Sequence, residues 1–217
     1  MRFAKEAWPF VLPFLLLAVG LGWFRLWPWA VAAALLALAL LLFFRDPARR
    51  FEGDPEAVLA PADGVVLSVD PVEDPEIGPG RYTRIVTFLS VFDVHVQRTP
   101  ADGEVVHSAL TSGRKEAAFK EGLDRINERH LTVIRRPGGD LIGVRQIVGL
   151  LARRIVCYLQ VGQQVTRGQH LGLIKFGSRV DLLVPASYQV EVAKGQRMRN
   201  GETVMARRAK ESKGDSP

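Results

Sequence analysis

The chain opens with two long apolar stretches. Residues 7–24 and 26–44 contain no charged side chain, and Arg25 alone separates them. Each stretch is close to the ~20 residues that an α-helix needs to cross a bilayer. The pattern predicts a transmembrane helical hairpin over residues 1–45, and Pro9 and Pro13 leave a re-entrant hairpin as the alternative.

Basic residues cluster at the two ends of this hairpin, whereas the connection between its helices has Arg25 alone. Arg2 and Lys5 precede it, and Arg45, Arg49 and Arg50 follow it. Since cytoplasmic flanks carry the excess of Lys and Arg, both ends are expected on the cytoplasmic face of the inner membrane. The doubled apolar material is too long for a cleaved signal peptide.

From residue 46 onward the chain changes to short runs of β-formers separated by Gly, Pro and Asp. Such runs predict half-buried strands. The predicted strands cover residues 58–60, 64–69, 82–89, 103–107, 131–135, 140–150, 154–159, 182–184 and 188–192. One helix is predicted over residues 115–128, although Gly122 weakens it. The expected fold is mainly β (α+β), with the hairpin followed by a β-rich domain over residues 46–217.

A short sequence repeat supports this organisation. Pro61–Gly64 and Pro100–Gly103 are both Pro-Ala-Asp-Gly, and both precede valine-rich runs, as turns that feed strands do. Glycines at 162, 168 and 172 alternate with apolar residues, as in the hairpins of barrel-sandwich domains. No lysine stands in the Met-Lys context of a carrier domain, so a barrel-sandwich-like domain without a carrier role is expected.

The composition limits the classes of partner and cofactor that are expected. The net charge is +6 over 217 residues, and Cys157 is the single cysteine. A basic surface beside anionic headgroups explains the charge, and no aromatic-interleaved basic stripe suggests nucleic acid. One cysteine cannot form an intrachain disulfide and agrees with a reducing compartment. No His, Cys and carboxylate set has the spacing of a metal site, so no metal is expected.

His95 is the histidine whose surroundings suggest chemistry. Strand alternation would place Asp93, His95 and Gln97 on one face, so that an acid, an imidazole and an amide share a surface. The Asp93 carboxylate could orient the imidazole or raise its pKa. His170 is kept as a spare base, and the remaining histidines are interpreted as surface or turn residues.

The Gly177-Ser178 bond lies between apolar, β-like stretches. A serine hydroxyl can attack the preceding carbonyl when a base is near, and glycine obstructs that attack least. A Gly-Ser pair also makes an ordinary turn. Both interpretations stay open from these residues alone.

Several motifs together resemble the phosphatidylserine decarboxylase family, in its short form with a membrane hairpin. The resemblance covers nearly the whole chain. Its motifs, in order, are Phe44-Arg-Asp-Pro47, Ala60-Pro-Ala-Asp-Gly64, Phe92-Asp-Val-His-Val96, Asn127-Glu-Arg129, Ala152-Arg-Arg-Ile-Val-Cys157 and Lys175-Phe-Gly-Ser-Arg179.

The resemblance implies that the chain cuts itself between Gly177 and Ser178, giving a β chain of residues 1–177 and an α chain of residues 178–217. Ser178 would become a covalent pyruvoyl group, with Asp63 and His95 assisting. This group would form a Schiff base with phosphatidylserine and release phosphatidylethanolamine, without pyridoxal phosphate or metal. The implied partners are the phospholipid, the membrane and the two chains of one precursor, alone or as a homodimer of such pairs.

Two positions depart from the longer members of this family. Arg98 stands where they have a second histidine, so that His95 would serve both self-cleavage and decarboxylation. Arg179 replaces a threonine, and it could contact a phosphate or carboxylate or pair with Asp181. The alternative functions are decarboxylation of a related serine-headed phospholipid and, without catalysis, a membrane-anchored barrel-sandwich adaptor.

Overall fold

The computed structural model describes residues 2–114, 126–149, 154–175 and 178–209. The helix predicted over residues 115–128 therefore lies almost entirely outside the described residues.

The N-terminal segment forms a helical hairpin. A 3-10 turn at Lys5–Ala7 leads into α1 (Trp8–Trp23), and α2 (Trp27–Phe43) follows. Each helix has a proline in its first turn, where the missing N–H costs no hydrogen bond. The two helices pack against each other along their length.

A small antiparallel ladder closes the base of this hairpin. Strand β1 (Arg2–Phe3) pairs with β2 (Arg45–Asp46), so that Arg2 lies opposite Asp46. The two ends of the hairpin therefore lie side by side, as an orientation with both ends on one side of a membrane requires.

The hairpin has many large apolar side chains that are mostly exposed. Trp23 is 84% exposed and Val19 is 72% exposed. Among the described residues, the helix Lys5–Trp23 is long and apolar enough to cross a membrane, and Trp27–Phe43 is apolar but shorter. The helical hairpin is confirmed, and its insertion into a bilayer stays a prediction.

The remainder of the described chain is mainly β, as predicted. Each predicted strand overlaps an observed one. The strands are β3 (Ala57–Leu59), β4 (Gly64–Glu73), β5 (Arg81–Leu89), β6 (Val96–Arg98), β7 (Gly103–Thr111), β8 (Arg129–Arg135), β9 (Leu141–Val148), β10 (Ile155–Cys157), β11 (Gln164–Val165), β12 (His170–Ile174), β13 (Ser178–Pro185), β14 (Tyr188–Val190), β15 (Arg197–Met198) and β16 (Val204–Arg208).

These strands form one large curled sheet and two small ones. The large sheet has eight strands in the order β11-β7-β8-β9-β13-β5-β4-β15. The small sheets have the orders β10-β12-β6 and β14-β16-β3. The main hydrophobic core contains residues from all three sheets and lies against the inner face of the large one.

Strand β13 is central in the large sheet. It pairs with β5 on one side and β9 on the other, from Ser178 to Leu183. Val180 and Leu182 belong to the main core, so alternation places Ser178 on the same inward face. The strand predicted to start at residue 182 begins four residues earlier, at Ser178.

The two Pro-Ala-Asp-Gly segments fold alike, each as a bend that feeds a strand. Gly64 (φ +146°) begins β4 and Gly103 (φ +155°) begins β7. A Cβ on Gly64 would lie 2.1 Å from the Phe88 carbonyl oxygen, and one on Gly103 would lie 2.2 Å from that of Arg135. Glycine is therefore required by both backbone conformation and the neighbouring strand.

We expect Gly64→Ala and Gly103→Ala each to lower the free energy of unfolding by about 2–4 kcal/mol, because the neighbouring strand must move. Gly162 (φ +86°) has no atom within 4 Å of its Cβ position. Its alanine variant should lose only about 1 kcal/mol, from backbone strain. Urea denaturation in detergent measures all three, and equal losses would contradict the steric explanation.

Candidate active site

Ser178 is the first residue of β13 and lies between Leu89 and Val148. Its exposed fraction is 0%, and its hydroxyl has no hydrogen-bond partner among the described residues. The chain reaches it from Ile174, the last residue of β12, through residues 175–177. The Gly177-Ser178 bond therefore lies where the chain passes from a small sheet to the large one.

His95 lies between β5 and β6 and is 1% exposed. Its Nδ1–H donates to the Asp93 carbonyl oxygen over 2.8 Å, so Nε2 carries the lone pair of the neutral ring. The Phe43 ring, at the end of α2, lies 4.0 Å from the imidazole between ring centroids. Because Val96 pairs with Leu173, His95 lies beside the segment that leads to Ser178.

Burial controls the ionisation of His95. It lowers the pKa of His95 from 6.5 to about 4, although the carbonyl and the charge of Asp93 act in the opposite direction. The charge of Asp93 therefore raises this pKa as expected, but burial outweighs the effect, and Nδ1 is hydrogen-bonded to the Asp93 carbonyl and not to the carboxylate. That carboxylate accepts hydrogen bonds from Ser90 and from Arg197 instead, at 2.8 and 2.6 Å.

Asp63 immediately precedes β4 and is almost fully buried. Its Oδ1 accepts from the Asn200 backbone N–H at 2.7 Å, and its Oδ2 accepts from Arg49 Nη2 at 3.0 Å. Burial raises the pKa of Asp63 above its ordinary value, against the opposing effects of Asn200 and Arg49. The Asn200 side chain also donates to the Val96 carbonyl at 2.8 Å. Asn200 thus ties the Asp63 turn to the residue after His95.

The three predicted site residues gather at one end of the large sheet. Ser178 pairs with the last residue of β5, and Gly64 approaches the residue before it. Asp63 and Ser178 therefore lie on either side of β5, about two strand spacings or roughly 10 Å apart. His95 belongs to the connection that leaves this same end of β5.

Arg98, at the position where a second histidine was expected, donates hydrogen bonds to three acceptors in neighbouring segments. Its Nη2 donates to Asp46 Oδ1 at 2.6 Å and to the Pro47 carbonyl at 3.1 Å, and its Nη1 donates to the Gly168 carbonyl at 2.9 Å. His170 Nε2 lies 2.8 Å from the other Asp46 oxygen. Arg98 and His170 thus hold the chain at its exit from α2.

Two other arginines are also held by carboxylates. Arg179 forms a bidentate pair with Asp181 at 2.6 and 2.7 Å, on the sheet face opposite to Ser178. Arg49, one of the basic residues that follow the hairpin, is paired with both Asp63 and Glu202. Of the two possibilities for Arg179, the structure has the pairing with Asp181.

Sequence reasoning missed three contributors to this region. Phe43 was hidden in a uniformly apolar run, and Asn200 looked like an ordinary turn residue before Gly201. Gln146 could have been found, because it is a polar residue in the otherwise apolar inner face of a predicted strand. It is fully buried, and its Nε2 donates to Gln97 Oε1 at 2.9 Å.

Comparison with known proteins identifies the family. The family model described as phosphatidylserine decarboxylase matches residues 36–206, well over half of the chain. The chain belongs to the phosphatidylserine decarboxylase family. Membership confirms the resemblance drawn from the motifs and the expectation of a carboxy-lyase, and it disfavours the non-enzymatic adaptor.

Relatives in the phosphatidylserine decarboxylase family match over most of their length. The phosphatidylserine decarboxylase proenzyme of Symbiobacterium thermophilum is 42% identical over 204 residues, which cover 94% of each chain. That of Nitrosomonas europaea is 40% identical over 203 residues, again 94% of each chain. That of Erythrobacter litoralis is 43% identical over 193 residues, covering 83% of this chain and 76% of the relative.

We expect the stability of the protein to fall as the pH drops from about 6.5 to about 4. In this range His95 is protonated in the unfolded chain but stays neutral in the folded protein, where it is buried. This shift corresponds to roughly 3 kcal/mol. His95→Gln should remove that part of the pH dependence. The free energy of unfolding of both proteins, measured between pH 4 and 8, tests this prediction. The same slope of free energy against pH in both proteins below pH 6.5 would contradict it.

Proposed function

We propose that the chain is a self-processing enzyme that decarboxylates phosphatidylserine to phosphatidylethanolamine. Family membership supports the reaction, and the proenzyme names of the relatives support a precursor. The structural observation that carries the proposal is the buried Ser178 hydroxyl, unpaired within the described chain and directly after Gly177. A buried hydroxyl without a partner is costly, and such groups are frequent where chemistry takes place.

In the proposed self-cleavage, Ser178 Oγ bonds to the Gly177 carbonyl carbon while the Gly177-Ser178 C–N bond breaks, so the amide becomes an ester. Loss of the Ser178 α-proton then expels the Gly177 carboxylate together with the serine oxygen. Water hydrolyses the resulting dehydroalanine end to a ketone and ammonia. The products are a β chain of residues 1–177 and an α chain of residues 178–217 that begins with a pyruvoyl group.

His95 and Asp63 assist this cleavage in the proposal. A neutral imidazole with its proton fixed on Nδ1 can accept the Ser178 hydroxyl proton at Nε2. Asp63, with its raised pKa, can hold or release a proton at the same end of the sheet. Asn200 keeps the Asp63 turn and the His95 segment in register.

The fit to a pyruvoyl group rests on the surroundings of Ser178. Its inward face carries Val148, Val180 and Leu89, all buried in the main core. When formed, the ketone supplies an electrophile for the substrate amine and accepts the electron pair released with carbon dioxide. The apolar wall excludes water, which disfavours the charged carboxylate that is lost. His95 is placed to move the proton that replaces it.

We expect Ser178→Ala to remain a single chain of 24.0 kDa, while the parent protein yields two chains and an α chain without a free amino group. His95→Ala and Asp63→Asn should slow cleavage, the former by about 100-fold or more, since general bases contribute that much. Intact-mass analysis over time after synthesis measures both effects.

His107→Ala is the matched control, because His107 lies on β7 away from Ser178 and should leave cleavage unchanged. An uncleaved single chain in active parent protein would disprove the pyruvoyl mechanism. Normal cleavage in both the His95 and Asp63 variants would remove these residues from self-cleavage.

The hairpin places the enzyme at its lipid substrate in this proposal. It spans the inner membrane, with residues 46–217 as a barrel-sandwich-like domain on the cytoplasmic face. The paired hairpin ends support this orientation. A cavity of about 360 Å³ at the hairpin base is lined by Arg2 and Lys5, cations at the level where phosphates of the headgroups would lie.

Cysteine labelling tests the orientation in a Cys157→Ser background, which has no other thiol. We expect Arg25→Cys, in the connection between the helices, to react with a membrane-impermeant maleimide in intact spheroplasts. Ser112→Cys, which is exposed on the β domain, should react only after permeabilisation. Protection of position 25 on both sides would indicate a re-entrant hairpin, and external labelling of position 112 would reverse the orientation.

A further inference from the structure

The inward face around Ser178 carries one polar pair that the proposed cleavage does not use. Beside Val180, the next inward residue of β13, the neighbouring strand β9 contributes Gln146. Gln97 reaches the same place from β6 in the facing small sheet. Both glutamines are fully buried, with exposed fractions of 0%.

This glutamine pair leaves polar groups unsatisfied. Gln146 Nε2 donates to Gln97 Oε1 at 2.9 Å, and within the described chain Gln97 Nε2 and Gln146 Oε1 have no partner. Whichever way the two amides are turned, one NH₂ and one C=O remain open. Buried amide groups without partners destabilise a fold, so their presence needs an explanation other than stability.

The pair lies within side-chain reach of Ser178. Ser178 is opposite Val148 in the ladder, and Gln146 is opposite Val180, so Ser178 and Gln146 are diagonal neighbours on one face. Such neighbours lie about 7–8 Å apart, a distance that a glutamine side chain spans. The Ser178 hydroxyl is itself unpaired among the described residues. An open donor, an open acceptor and the reacting residue thus share one interior region.

We propose that the Gln97–Gln146 pair recognises the amino-acid group of a serine-headed phospholipid. The open NH₂ donates to the substrate carboxylate, and the open C=O accepts from the substrate amine. This assignment rests on the proposed function and adds to it the residues that select the headgroup. An α-amino acid presents one acceptor group beside one donor group, which is the complement of what the pair leaves open.

Neutral amides suit this task better than cations. A buried guanidinium would stabilise the carboxylate in the bound substrate, and that stabilisation would be lost when carbon dioxide leaves. An amide orients the carboxylate with a weaker interaction. The nearest arginine on β13, Arg179, points to the opposite face and is held by Asp181.

The test uses the mature enzyme and two lipids in mixed micelles, phosphatidylserine and phosphatidylethanolamine. Borohydride reduction fixes either amine to the α chain, and intact mass gives the lipid concentration for half-maximal labelling. Gln97→Met keeps the side-chain shape and removes the open NH₂. It should raise that concentration about tenfold or more for phosphatidylserine, the loss expected for a hydrogen bond to a charged group. For phosphatidylethanolamine, which has no carboxylate, the change should stay within about twofold.

Thr87→Val is the matched control, because Thr87 flanks Val180 from β5 and is equally buried. It should change neither value. The proposal would be overturned if, for each lipid, Gln97→Met and the parent protein had the same concentration for half-maximal labelling. It would also be overturned if Gln97→Met lost labelling by both lipids to the same extent. Failure of Gln97→Met to cleave would assign the pair to self-cleavage and overturn headgroup recognition. No labelling of the parent protein would instead refute the proposed function.

A second measurement needs no mature enzyme. In the uncleaved Ser178→Ala precursor, adding Gln97→Met and Gln146→Met together removes the unsatisfied groups and keeps the packing. The melting temperature should stay unchanged or rise, because the pair exists for binding and not for stability. A clear fall in melting temperature would show that the pair is structural and would contradict the proposal.

Discussion

The two-sided hydrogen bonding of β13 is the constraint on which the rest of the structure depends. This strand begins at Ser178 and is paired to β5 and β9 at once. Strands β14, β15 and β16, which follow it in the chain, pair with β16, β4 and β3. The part of the chain after residue 177 therefore contributes strands to two sheets, the large one and the sheet β14-β16-β3. Cutting the backbone before Ser178 would remove one covalent connection and leave these ladders intact.

Burial gives the residues at this end of the sheet opposite shifts in acidity. It lowers the pKa of His95 and raises the pKa of Asp63 because it disfavours the charged form of each. At neutral pH the imidazole is therefore an unprotonated acceptor. The carboxyl group of Asp63 loses its proton less readily than an exposed aspartate does, although Arg49 lies beside it. Such divergence of neighbouring groups is typical of sites that move protons.

Local patterns predicted the parts of this structure that local forces determine. Alternating β-formers gave most strands, and the Pro-Ala-Asp-Gly repeats gave two turns whose glycines prove to be sterically required. The motif series also identified the family. The start of β13 was missed because Arg179 and Asp181 look like solvent-exposed residues, whereas they neutralise each other inside the protein.

Long-range partners were beyond the reach of sequence reasoning. The Asp93 carboxylate, expected to act on His95, is also hydrogen-bonded to Arg197, 104 residues later in the chain. Asp46 and Arg98 form an ion pair although they are 52 residues apart in the chain, so neither spacing nor composition predicts the pair. The Gln97 position was identified by alternation with His95, yet its partner Gln146 comes from another sheet.

The contact between Phe43 and His95 has a consequence for how the protein can be handled. The last residue of α2 forms one wall around the imidazole, and Arg45, two residues later, donates to the Phe92 carbonyl in the same connection at 2.6 Å. A soluble fragment that lacked residues 1–45 would open this wall to water. Hydration would return the imidazole toward its ordinary basicity, near pH 6.5. The helical hairpin therefore also influences the acid-base properties of His95, and a fragment without it would be chemically different.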